Sequence, residues 1–393
     1  MTTESKLPLT HYDRIKRLRP EMFEYLAQEV QHVRDIAWNG PVASVDDIES
    51  QVFTPCLMSL ANKYCDDFAR SMGVPVEYVA PQIKGSQEFS LLMHGLNQDY
   101  HNLLNFELAG KKTFFFHENI TDHLIATELS IDADLVRTPF DTSLFLFSSR
   151  TAIDAAYSFL GHAAQPEDYR YPLSVFVTTL PDRSNSEWRK ILMGVSHWRG
   201  SQLTFMIKRE VAIRPGWKLD DALRTDWEKL GDTGEGVFLG LDGSARETDD
   251  AEFFTEGLSL FRLVLNAILY LGSSDPDIIS RCSGREAALQ QAEQIRSSVK
   301  AKKAKQEAKK ESELNYASIG ESVTPIYVRK DAAQHSVGEG GGFREYASRF
   351  IVRGHWRNQP CGPGLSERKL LWIKPYYKGP EISEIVNRPY VVT

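Results

Sequence analysis

The chain has only four cysteines in 393 residues, Cys56, Cys65, Cys282 and Cys361, and no two of them form a CxxC pair. That argues against a disulfide scaffold or a zinc ribbon and reads as free, mostly buried thiols. Long hydrophobic runs are missing as well. The richest apolar stretch, 258–271, is interrupted by Arg262 and Asn266 and is too short to span a bilayer. The opening MTTESKLPLTHYDRIKRLRP lacks the apolar core of a signal peptide, so a cytoplasmic protein without a membrane partner is expected. No GxxxxGK[ST], GxSxG, HExxH or HRD/DFG pattern occurs, which sets aside P-loop, hydrolase, zincin and kinase chemistry. A dense carboxylate set of the two-metal nuclease kind is also lacking, and neither a metal nor a cofactor is expected.

What is present is an ordinary globular composition, 42% apolar and 25% charged, in a chain long enough for two or three domains. Charge is unevenly spread. Residues 300–378 hold sixteen Lys and Arg against eight Asp and Glu; with a total of −7, the remainder carries −15. An acidic body with a basic end fits an anionic partner, and equally a basic segment folded onto the body itself.

Periodicity predicts an α+β protein. Helices are expected from Pro20 to Ile36, with Phe23, Leu26, Val30 and Val33 in register. Others are expected over 55–72, with Leu60, Tyr64, Phe68 and Met72 on one face, and over 87–106. Short runs near 143–147, 173–177, 190–195 and 202–207 then predict an antiparallel β meander, with 236–240 as an optional strand, before a buried helix over 252–271. Helix, meander, helix is the α+β pattern rather than alternating βαβ. Residues 285–314 are rich in Ala, Gln, Glu and Lys without Gly or Pro, predicting a charged helical linker. The glycine run 338–342 marks a loop, and 346–352, 370–374 and 390–392 read as strands. The expected organisation is an acidic α+β domain (1–282), a linker (283–315) and a small basic β domain (316–393).

The last of these carries the strongest pattern. Residues 349–379 read RFIVRGHWRNQPCGPGLSERKLLWIKPYYKG, with cations and aromatics around a Gly/Pro turn and Glu367 as the one acid. Cations interleaved with aromatics hold phosphates and stack on bases. Arg349, Arg353, Arg357, Gln359, Arg368, Lys369, Trp372, Lys374 and Tyr376 are the candidate nucleic-acid contacts. The tripeptide His-Trp-Arg occurs twice, at 197–199 and 355–357. A strand end bearing an imidazole and a guanidinium could supply a general base and an anion clamp for metal-independent RNA cleavage, making His355, Arg357 and Arg353 the catalytic candidates. In a strand, His and Arg two apart share a face while Trp points the other way, as a core residue would. For the copy at 197–199 the packing role is the better reading. His117, Glu118, Asp122 and His123 match no metal-ligand spacing, and the Asp132–Asp141 cluster reads as a capped loop before a strand, fixed by Pro139.

HWRNQPCGPG followed by WIKPYYKG resembles a segment of bacterial, plasmid and phage proteins patterned HWRxQPxGPG and WIxPYxKG, and TELSIDADLVRTPFDTSLFLF is similar to an upstream segment of some of them. Cys361 stands where that pattern has an aromatic. The resemblance carries over no catalytic residue; it implies nucleic-acid handling, host defence or a toxin-like role on a mobile element. The leading expectation is a protein that contacts RNA or DNA through its basic end. A metal-independent ribonuclease or toxin is the alternative, as is an assembly protein whose basic tail docks on a protein partner or a second copy.

Overall fold

A computed structural model describes residues 7–39, 53–181, 188–225, 238–239, 245–246, 251–295, 297–324 and 350–378. Five helices open the fold: α1 (His11–Leu18), α2 (Pro20–Asn39), α3 (Phe53–Met72), α4 (Val76–Lys84) and α5 (Gln87–Leu108). A reciprocal capping box starts α1, with Thr10 bonded to the Asp13 N–H and Asp13 to the Thr10 N–H. Pro20 opens α2 where its missing N–H costs nothing.

Then follow β1 (Thr113–Phe116), α6 (Glu118–Ile125), β2 (Thr142–Phe147), α7 (Arg150–Phe159), β3 (Leu173–Pro181), β4 (Arg189–Arg199) and β5 (Gln202–Ile213). A two-residue ladder joins β6 (Phe238–Leu239) to β7 (Ala245–Arg246) ahead of the core helix α8 (Ala251–Leu271). After β8 (Ile278–Arg281) come α9 (Arg285–Glu293), α10 (Ser298–Ala308) and β9 (Tyr316–Ile319).

One seven-stranded sheet, ordered β5-β4-β3-β2-β1-β9-β8, organises the body. The expected meander is its β2–β5 half, antiparallel throughout. The other half was not foreseen: β1 runs parallel to both β2 and β9, so β1-α6-β2 is a βαβ unit inside an α+β protein. Strand β2 is buried on both faces, and its alternation serves two cores. Phe145 and Phe147 pack under α6, α7 and α8 with Val175, Val195 and Ile268. Leu144 and Leu146 face the N-terminal helices, meeting Tyr12, Leu26, Tyr100 and Leu103.

Two expectations changed in detail. Helix α3 buries Cys56, Leu60, Cys65 and Ala69, but Tyr64, Phe68 and Met72 are 36%, 41% and 63% exposed, because the helices beside α3 cover only part of its apolar face. The charged linker is helical, though as two helices that fold back on each other and bury Ala292 and Ala308. The strand at the expected boundary near residue 316 lies between β1 and β8 in the central sheet. The glycine run, the strand at 390–392 and residues 346–349 of the strand expected at 346–352 fall outside the described residues.

Candidate nucleic-acid interface

The C-terminal region forms two ladders: β10 (Phe350–Val352) with β13 (Tyr376–Lys378), and the longer hairpin of β11 (His355–Cys361) with β12 (Glu367–Ile373). Gly354 fixes where the hairpin attaches. Its carbonyl accepts from the Glu128 N–H at 2.9 Å and its N–H donates to the Ala126 carbonyl at 3.2 Å. A Cβ there would sit 2.5 Å from Thr127 Oγ1 and 2.8 Å from Pro375 Cδ, so the two segments approach as closely as only glycine permits. At the far end Gly362, with φ of 76°, turns the chain back.

Strand alternation then sorts the side chains. Trp356 and Trp372 are directly opposed on the inward face, ring centroids 6.3 Å apart. Trp356 is buried and donates from Nε1 to Asn266 Oδ1 at 2.7 Å. Asn266, fully buried in α8, donates from Nδ2 to the Leu124 and Thr127 carbonyls, both at 2.9 Å. One amide therefore ties the core helix, the end of α6 and the hairpin together. Trp372 donates to Thr127 Oγ1 at 3.2 Å and meets the Tyr270 ring edge-on at 5.2 Å. Sequence reasoning missed Asn266 and Thr127; an amide amid the apolar residues that follow Arg262 was the available signal.

The outward face carries His355, Arg357, Gln359 and Lys369, with Arg357 and Lys369 diagonal neighbours across the ladder. Arg357 and Lys369 are exposed, as is Arg368 near the tip, while His355 and Gln359 are half-buried. Arg353 lies before the hairpin and turns towards Glu128, 3.8 Å away. Lys374 and Tyr376 are exposed beyond β12. Arg349 is outside the described residues. The structure thus brings His355 and Arg357 onto one face with Gln359 and Lys369, and sets Trp372 inward instead.

The first His-Trp-Arg is packed into the fold, with His197 and Trp198 buried. His197 is fully buried, with Nδ1 3.1 Å from Tyr157 Oη and from Thr204 Oγ1, and burial lowers its proton affinity. Trp198 donates to His11 Nδ1 at 3.0 Å, leaving His11 to donate from Nε2 to Asp99 at 2.7 Å. Arg199 grips Asp168 through two 2.8 Å bonds. Burial opposes ionisation of Asp168, but those bonds and the Gln165 N–H outweigh it and hold the carboxyl below its usual range.

Elsewhere, His117 Nε2 lies 2.7 Å from Ser318 Oγ and 3.8 Å from Glu321, so both contacts use one ring nitrogen. Among the described residues no cluster of His, Cys, Asp and Glu is arranged to hold a metal, and no helix is long and apolar enough to cross a membrane. The Asp132 loop is pinned by Lys218 and by backbone bonds to Trp217 and Leu219.

No curated protein and no solved structure matches the chain. A family model described as "AcrVA2-like: Anti-CRISPR type V subtype A2 family" matches residues 114–377, from β1 to the end of the C-terminal ladders. The match covers more than half of the chain, and the protein belongs to the AcrVA2-like anti-CRISPR family.

Proposed function

We propose that this protein counters a type V CRISPR system and that the outward face of its C-terminal hairpin meets the phosphates of a nucleic acid. The family carries the first half. The ladder register supports the second: Arg357 and Lys369 are diagonal neighbours on one face and both side chains are exposed, while both tryptophans point inward and hold the hairpin. CRISPR effectors are RNA-guided complexes, so a protein that engages one works within reach of RNA. In this reading Arg357, Arg368 and Lys369 contact phosphates and Gln359 lies between them.

Two measurements test it. In cells protected by a type V effector, expression of the chain should restore phage plating; unchanged protection overturns the anti-CRISPR role. Fluorescence anisotropy with a labelled RNA should show affinity that falls steeply from 50 to 200 mM salt. Affinity that ignores salt, or survives Arg357→Glu with Lys369→Glu, overturns the contact surface.

The shared face of His355 and Arg357 favours a second reading, metal-independent RNA cleavage with His355 as general base and Arg357 on the phosphate. It expects His355→Ala to abolish cleavage while binding survives, and equal cleavage by the two proteins ends it.

A further inference from the structure

On the inward side of the hairpin, next to the tryptophans, lies an open cavity of about 540 Å³ between the end of α8, the loop before β8 and the end of β12. That volume is in the range of small-ligand sites. Trp372 and Tyr270 form aromatic walls, and Lys374, just beyond the end of β12, lines the cavity as well. Two carboxylates, Asp275 and Asp277, line the cavity too. Asp277 is half committed, with Oδ2 taking the Ser322 N–H at 2.8 Å and the Ser322 hydroxyl at 2.7 Å, and Oδ1 has no hydrogen bond among the described residues. Asp275 and Lys374 make no hydrogen bond or ion pair among the described residues. The backbone around the cavity is held firm, with the Ser274 N–H on the Leu370 carbonyl and the Asp277 N–H on Tyr270 Oη.

An occupant has to satisfy three features at once: aromatic walls, a cation without a partner among the described residues, and exposed carboxylate oxygens able to accept further donors. A planar body with an anionic tail meets the first two. Guanine adds the third, since its N1–H and N2 amino group give two adjacent donors on one edge, an arrangement the other three bases lack. We propose that this cavity binds a guanine nucleotide, a base turned out of an RNA strand held by the hairpin, with Asp275 and Asp277 accepting from the base edge and Lys374 meeting its phosphate. This rests on the nucleic-acid reading above and names the base that reading leaves open. Lys374 also bears on His123 behind Trp372, whose ring burial and the nearby ammonium keep neutral.

The test is calorimetric titration of the full chain with GMP, AMP, CMP and UMP. GMP should bind saturably and at least fivefold tighter than the others. Lys374→Gln should weaken GMP at least fivefold, and Asp275→Asn should erase the preference for GMP over AMP. Both residues are exposed, so the variants should fold, which circular dichroism checks. No binding at millimolar GMP, equal binding of all four nucleotides, or a preference that survives Asp275→Asn each overturns the cavity assignment. Binding of an arginine amide in place of any nucleotide does the same and makes the cavity a cationic side-chain pocket. An oligo(U) strand, which has no guanine, reports separately on the outward face. Its retention without GMP binding sinks the cavity alone, and its loss sinks the phosphate-contact reading itself.

Discussion

Single residues decide how firmly the basic hairpin is mounted, and Asn266 is the first of them. Its three bonds use both amide donors and engage the amide oxygen. Asn266→Leu would strand the Trp356 N–H and the Thr127 carbonyl, each worth about 1–3 kcal/mol when unpaired, while the Leu124 carbonyl keeps the Thr127 N–H at 3.1 Å. Urea denaturation should show a loss of several kcal/mol, and a loss below 1 kcal/mol would show that the amide is not the fastener. His197 sets a pH dependence. Its folded form binds protons less readily than an unfolded histidine, because burial and the Arg199 charge outweigh Asp168. The unfolded chain therefore takes up more protons, and the stabilisation is full above the ordinary histidine value, roughly pH 6.5, and shrinks as pH falls below it. Melting temperature should drop between pH 7 and 5, and His197→Gln should flatten that drop. A drop of unchanged size would exclude His197 as its source. The two His-Trp-Arg copies look alike in the sequence, and only the fold separates them. One imidazole is sealed among Tyr157, Thr204 and the 168–171 backbone, while the other is half-buried on the outward face of a hairpin.

At the level of elements, alternation in β11 was readable in advance: with period two, Trp356 had to face away from His355 and Arg357. What it packs against was not readable, because Asn266 lies 90 residues away in the chain. The same alternation yields paired predictions. Arg357→Glu with Lys369→Glu should change stability by no more than about 0.5 kcal/mol and lower the slope of log affinity against log salt by about 2. Trp356→Ala should cost about 3–5 kcal/mol. Thermal melts beside the anisotropy titrations separate the two. If the charge variants melt early, the face is structural rather than a contact surface. Strand β1 escaped notice because TFFF carries no alternation to betray a strand buried on both sides, and its partners are set by tertiary pairing alone. The break between α9 and α10 escaped for a related reason: no Gly or Pro marks it, and the burial of Ala292 and Ala308 holds the helices together.

Across the whole molecule, the family match begins at β1 and leaves the N-terminal helices outside it. Those helices nonetheless supply one of the two cores, covering Leu144, Leu146 and Phe176 on the sheet. Removing residues 1–110 should lay that face bare and give an insoluble or aggregating protein. A soluble, cooperatively melting truncation would show instead that the sheet stands without them. The order of the sheet has a further consequence, in time rather than in space. Strand β9 sits between β1 and β8, yet it is made about 200 residues after β1. At ordinary rates of synthesis that is a wait of roughly 10–40 s, during which β1 has an open edge on the ribosome. The chain therefore spends much of its birth with an unpaired strand, and it should lean on chaperones until residue 319 emerges and the sheet closes.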